Sequence, residues 1–127
     1  MRLVYYKMHY IALGGSILLK LELIVPATQE NIRRRKKGLI PHLGLAMVAA
    51  LTPPEVEVSL TDENVTDIDF QKGIDLVGIS ALTVTAPRAY EIADNFRARE
   101  VKVILGGAHP SALPEEASRH ADTDLNP

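Results

Sequence analysis

Short apolar runs alternate with helix-forming stretches along this chain, and that alternation limits the fold more than any other feature. Residues 17–25 read ILLKLELIV, a run rich in Leu and Ile that stops at Pro26. Its length and composition predict a strand. Residues 75–80 (DLVGIS) and 101–105 (VKVIL) predict two more, buried on both faces, the second ended by Gly106-Gly107. Residues 55–60 alternate Glu, Val, Glu, Val, Ser, Leu, the period-two pattern of an edge or half-exposed strand.

Between the strands, residues 41–51 (PHLGLAMVAAL) favour helix, with Pro41 suited to the first turn and Pro53-Pro54 as a stop. This segment is apolar nearly all round, which predicts that both of its sides are covered. In residues 87–99, Ala89, Ile92, Ala93 and Phe96 fall at the i, i+3, i+4, i+7 positions of an amphipathic helix. Residues 114–120 predict a short helix. Residues 61–73 are polar with scattered apolar positions and read as a short helix or an irregular turn. Residues 26–40 have no apolar period and predict a long loop.

Strands alternating with helices imply right-handed crossovers and a parallel sheet. In such sheets, ligands bind outside the carboxyl ends of the strands, where the strand order reverses. The loops at residues 26–40, 81–86 and 106–114 leave those ends, so function is expected there.

Composition removes several alternatives. The chain has 127 residues, enough for one domain with its own core. A net charge of -2 gives no broad footprint for nucleic acid, and 5% aromatic residues without Trp provide no stacking platform. With no cysteine there is no disulfide, no thiolate nucleophile, and no Cys-ligated zinc or iron–sulfur cluster. Residues 10–19 are fairly apolar. Lys20 and Glu22 interrupt the run, it is too short to span a bilayer, and no cleavage site follows. The expectation is a cytoplasmic protein without a membrane partner.

The loops carry few reactive groups. Ser80, Thr83 and Thr85 offer hydroxyls after the third strand, either for a polar ligand or for local capping. Gly106-Gly107 permits close backbone approach, or simply ends a strand. No GxGxxG follows the first strand, which disfavours a dinucleotide fold. The stretch Pro26-Ala27-Thr28-Gln29 lacks the acidic residues of a phosphoacceptor receiver. His9, His42, His109 and His120 show no ligand spacing, so no protein-built metal site is expected. His42 reads as a helix-start residue and His109 as a turn residue in reach of a ligand. Arg33 to Lys37 reads as a solvated basic loop, and Glu115-Glu116 as acids that complement a helix dipole. No nucleophile–base pair is visible, so no catalytic residue is assigned.

Five pieces in order carry a family resemblance. They are Pro41-His42-Leu43-Gly44-Leu45-Ala46, Asp75-Leu76-Val77-Gly78-Ile79-Ser80, Thr85-Ala86-Pro87-Arg88-Ala89, Val103 to Pro110, and Leu113-Pro114-Glu115-Glu116. Over about residues 18 to 121 the chain resembles the cobalamin-binding domain at the front of many radical S-adenosylmethionine enzymes. The resemblance implies an α/β, flavodoxin-like (Rossmann-like) three-layer fold with cobalamin held over the strand ends. Ser80-Ala81-Leu82 and Gly106-Gly107 stand where the wider class places a Ser-x-Leu and a Gly-Gly. By resemblance, the first packs beside the buried dimethylbenzimidazole tail and the second lets the backbone approach it. Thr83, Thr85, Ala108 and His109 join them as candidate cofactor contacts.

Three departures shape the expectation. No Asp-x-His-x-x-Gly follows the first strand, so a histidine ligand to cobalt is not expected. The three-Cys motif of the radical domain is absent, so the chain alone cannot perform that chemistry and would need a radical domain as partner. The family continues after Asp122 into an apolar fifth strand, whereas here the sequence reads Thr123-Asp124-Leu125-Asn126-Pro127. The fifth strand is therefore expected to be missing, leaving an unpaired edge that pairs with another chain in a homo-oligomer. The expected organisation is an extension at 1–16, the domain at 17–122 and a tail at 123–127. The extension reads as a hairpin on the first strand, an edge cover or an unstructured segment. Besides a cobalamin-binding module, two other readings stand: an interaction fragment that has lost ligand binding, and a small α/β enzyme or nucleotide binder using the Gly106-Gly107 loop.

Overall fold

In the computed structural model, which describes residues 19–34 and 43–124, β1 (Leu19–Val25) lies inside a parallel sheet. β2 (Val56–Asp62) pairs with one of its edges and β3 (Leu76–Ser80) with the other. β4 (Lys102–Gly106) follows β3, and a two-residue β5 (Thr123–Asp124) completes the order β2-β1-β3-β4-β5. The order reverses between β1 and β3, which opens a crevice at their carboxyl ends. The flavodoxin-like α/β fold implied by the sequence is the fold observed.

The expectation of an unpaired edge on β4 needs correction. No long fifth strand is present among the described residues, but its place is taken. Thr123 and Asp124 pair in parallel with Ile104 and Leu105. One residue earlier, the Asp122 carboxylate accepts from the Val103 N–H at 2.8 Å, and the Asp122 N–H donates to the Val103 carbonyl. The outer edge of β4 is thus closed from Val103 to Leu105. The first strand begins at Leu19, and the expected hairpin at its start lies outside the described residues. So do Pro41, His42 and most of the basic run.

The two sheet faces differ. Ile24, Val77, Ile79, Val103 and Leu105 point to one face and meet α3 (Ala86–Ala98) through Ala89, Ile92, Ala93 and Phe96. These four are the residues that the helical spacing singles out. α3 ends with Glu100 at φ 64, and the Val101 N–H bonds back to the Phe96 carbonyl, a left-handed cap without glycine. On the other face, Leu19, Leu21, Leu23, Val56 and Leu76 meet α2 (Leu43–Leu51), which buries Leu45. Here the expectation of cover on both sides fails among the described residues: Met47 is 63% exposed and Leu51 81%. Residues 26–40 are also not all loop, because Gln29–Arg34 forms α1, with the Asn31 N–H bonded to the Thr28 hydroxyl. Two further short helices, α4 (Ala108–Ala112) and α5 (Pro114–Ala117), follow β4.

Two buried carboxylates tie the β2 side together. Glu22, in the middle of β1, accepts from the Ser59 hydroxyl at 3.0 Å, from the Thr61 hydroxyl, and from the Lys72 ammonium at 3.0 Å. Glu63, just after β2, accepts from the Ala27 N–H at 3.0 Å and from the Arg88 guanidinium at 2.6 Å. A buried charge of this kind persists because it is paired and hydrogen-bonded. No helix among the described residues is long and apolar enough to cross a membrane.

Candidate functional site

At the carboxyl ends of β1, β3 and β4, on the α2 side, an apolar groove of about 300 Å³ enters the molecule. Leu21, Leu23 and Leu76 form its floor, Leu45 and Val48 of α2 its roof, and Ile104 its far wall. Strand alternation explains the lining, since these strand residues share one face. The floor is deep because position 78 has no side chain. A Cβ on Gly78 would stand 3.0 Å from Leu23 Cδ2. A glycine inside a strand often marks such close approach.

The mouth of the groove is made by Ser80, Gly106 and Gly107. Gly107 has φ 99 and ψ -174, a region essentially restricted to glycine. A Cβ there would lie 2.7 Å from the Ala81 carbonyl oxygen and 3.0 Å from Ser80 Oγ. The loops after β3 and β4 therefore touch backbone to backbone. The Ala81 N–H donates to the Gly106 carbonyl at 2.8 Å, and the His109 N–H to the Ala81 carbonyl at 3.1 Å. Glycine at 107 thus permits the contact between the two loops.

The remaining candidate residues lie on the segments that follow β3 and β4. Leu82, just before the helical turn Thr83–Thr85, is 55% exposed, and Val84 within it 72%. The Thr85 hydroxyl accepts from the Leu82 N–H at 3.0 Å, so it is engaged within the turn. Ala108 is exposed at the start of α4. Thr83 and His109 meet on the α3 side, away from the groove. His109 Nδ1 lies 3.3 Å from Thr83 Oγ1, and Nε2 lies 2.9 Å from Glu116 Oε1. A carboxylate only accepts, so Nε2 carries a proton. The Tyr90 hydroxyl donates to the same carboxylate at 2.7 Å, and its ring stacks on His120 with centroids 4.2 Å apart. The structure thus brings Ser80, Gly106 and Gly107 together at the groove, and Thr83 and His109 together in a separate polar cluster.

This cluster perturbs its members. Glu116 is held below the usual carboxylate range, first by the hydrogen bond from His109 and then by that from Tyr90. Burial, assisted by the bond to Glu116, pushes the Tyr90 phenol up to about 12. A raised phenol pKa gives stability that is fully present below the ordinary value near 10 and is lost as pH rises through about 12. The expected result is that alkaline titration followed by ultraviolet absorbance, subtracting Tyr90→Phe from the parent, shows a step near pH 12. A step near pH 10 would show that the phenol is not engaged. Elsewhere, the Arg88 guanidinium is raised, chiefly by its hydrogen bond to Glu63. That pair joins the loops after β1 and β2 to α3. No group of three His, Asp or Glu side chains suited to a metal ion occurs among the described residues.

The groove walls were missed by sequence reasoning, which looked only in the loops. Gly78, inside an otherwise apolar strand, was the available signal.

The family described as B12 binding domain matches residues 32–124, from α1 to β5. The chain belongs to the B12-binding domain family. Cobalamin is accordingly the cofactor of this B12-binding domain. Its similar proteins include the bacteriochlorophyllide d C-8(2)-methyltransferase of Chlorobaculum tepidum, 49% identical over 82 residues, 64% of this chain and 18% of the relative. The bacteriochlorophyllide d C-12(1)-methyltransferase of the same organism is 36% identical over 101 residues, 77% of this chain and 22% of that protein. An uncharacterized methyltransferase of Pyrococcus horikoshii is 34% identical over 113 residues, 80% of this chain and 24% of its own length. The B12-binding domain thus spans about a fifth of the length of these relatives.

The residues present suit such a cofactor. The groove is lined mostly by carbon, lies at the lower end of the usual volume range for ligand sites, and opens at the strand ends. Leu82 and Val84 add exposed apolar surface in the segment after β3.

Proposed function

We propose that this domain binds cobalamin with the nucleotide tail in the groove and the macrocycle over the strand ends, as the cofactor module of a methyltransferase. The observation that carries the reading is the groove itself: an apolar slot between α2 and the sheet, entered at the Gly106-Gly107 turn. Ser80, Gly106 and Gly107 would border the tail. Leu82 would support the macrocycle, Thr85 would hold the turn that presents it, and Ala108 would face the ligand from the start of α4. Thr83 and His109 would fix the post-β3 and post-β4 loops to each other.

When bound, cobalamin supplies a cobalt centre able to carry a methyl group. The protein's own part is to bind, orient and exclude water. Leu21, Leu23, Leu45 and Leu76 remove apolar surface from solvent. The Arg88–Glu63–Ala27 chain holds the loop after β1 beside the strand ends. We assign no catalytic side chain. The two Chlorobaculum relatives are methyltransferases. This sequence contains no cysteine for a radical cluster. The partner we propose is therefore a radical S-adenosylmethionine domain outside it, with the cytoplasm as compartment.

The test is direct. The purified protein is mixed with hydroxocobalamin, desalted, and its visible spectrum recorded. Retention near one equivalent is the expected result, with band positions reporting whether the base is off cobalt. A protein folded by circular dichroism that retains no colour would overturn the reading in favour of an interaction fragment.

A further inference from the structure

The groove has an uneven chemistry. Among the described residues its side chains are Leu, Ile and Val from three strands and α2, its glycines contribute none, and Ser80 is the single polar side chain. The Ser80 hydroxyl stands at the mouth of the groove, where it can serve one polar atom of a ligand. A further polar atom of a base set against the Leu and Ile lining would lose its water without gaining a side-chain partner there, and that loss weakens binding.

We infer that this groove selects corrinoids by the base at the end of their nucleotide tail, accepting a benzimidazole and discriminating against a purine. The inference rests on the reading that the tail enters the groove. A dimethylbenzimidazole freed from cobalt exposes one ring nitrogen as acceptor, and its two methyl groups and fused carbocycle match the Leu and Ile walls. An adenine of similar size carries an exocyclic amino donor and further ring-nitrogen acceptors. One serine hydroxyl cannot satisfy them all. Apolar sites reject a similarly shaped polar competitor by up to roughly a hundred-fold, because the misfit is desolvation rather than collision. The expected preference here is about ten- to a hundred-fold. Val48 is the adjustable position. It lines the roof from α2 and is 43% exposed, so a longer polar side chain is tolerated there without burying a new unpaired group elsewhere.

Equilibrium binding to the full chain is measured with three probes: cobalamin, the corrinoid with an adenine-ended tail, and cobinamide, which has no tail base. The expected order is cobalamin tightest, with the adenine form about ten-fold or more weaker and cobinamide also weaker than cobalamin. In Val48→Gln the gap between the two tailed forms narrows, since the amide can pair with the purine. Equal affinity for cobalamin and the adenine form overturns the selectivity while leaving cobalamin binding intact. Equal affinity for cobinamide and cobalamin shows that the tail does not use the groove, and overturns it as well. A preference that Val48→Gln leaves unchanged overturns its assignment to this groove. Retention of none of the three overturns the cobalamin reading itself and the selectivity with it.

Discussion

Gly107→Leu reduces cobalamin affinity by about ten-fold or more, because leucine cannot hold the local backbone. The conformation at φ 99 is strained for any residue with a Cβ, at a cost of order 1–3 kcal/mol. The Cβ also has nowhere to go, with the Ala81 carbonyl oxygen at 2.7 Å and its nitrogen at 2.9 Å. Relief requires the post-β3 and post-β4 loops to part, which breaks the bonds through Ala81 and distorts the mouth of the groove. The sequence argument for this glycine was approach of the backbone to the ligand. In the structure, the immediate conflict is with Ala81 and Ser80, so the effect on the ligand is transmitted through the loops. Gly107→Ala meets the same Cβ conflict and is expected to weaken binding in the same direction. The check is hydroxocobalamin titration of protein shown to be folded by circular dichroism. Wild-type affinity in Gly107→Leu would show that the mouth of the groove is not used.

Phe96→Ala lowers stability by about 3–5 kcal/mol, the usual cost of emptying a large aromatic site. Phe96 is 1% exposed at the centre of the α3 face, with its ring 5.0 Å from that of Phe70. The atoms around it include those of the sheet and of α3 as well as Phe70, so the vacated space is not expected to collapse fully. Denaturant unfolding measures the loss, and a value well below this range would mean that the ring lies outside the core. Because the groove is on the opposite sheet face, the folded fraction of Phe96→Ala is expected to bind cobalamin as the parent does. Binding at Gly107 and stability at Phe96 are therefore separable.

How much of this was readable in advance depended on segment length. The strands at β1, β3 and β4 show themselves as apolar runs because both of their faces are covered. α3 shows itself because thirteen residues hold several full turns and one clear stripe. α1 and α4 could not show themselves this way. Six residues of mostly polar chain, QENIRR, and five residues, AHPSA, are too short to express a period. β2 runs on to Asp62 past its apolar alternation because Thr61 and Asp62 pair with Ile24 and Val25. Tertiary pairing there overrides composition. Glu22 sits in an apolar run and is buried because Ser59, Thr61 and Lys72 converge on it from segments some forty to fifty residues away. For the site, Ser80 and Gly106-Gly107 were visible as loop chemistry. The groove was not, since it is made by the shared face of three strands and one helix, a property of the assembled sheet.

The roof of the groove carries a consequence for exchange and timing. α2 meets the sheet through Leu45, its one buried residue among those described, with Ala49 beside it. α3 is anchored by five buried residues. Lifting α2 from the sheet therefore exposes little apolar surface, and its amides should exchange with solvent water well before those of α3. A ligand in the groove adds its own contacts to the underside of Leu45 and Val48. Occupancy and protection of α2 then become one linked equilibrium, with added protection growing as RT ln(1 + [L]/Kd). The same light hold makes α2, among the described helices, a place where deuterium uptake would report cofactor loading.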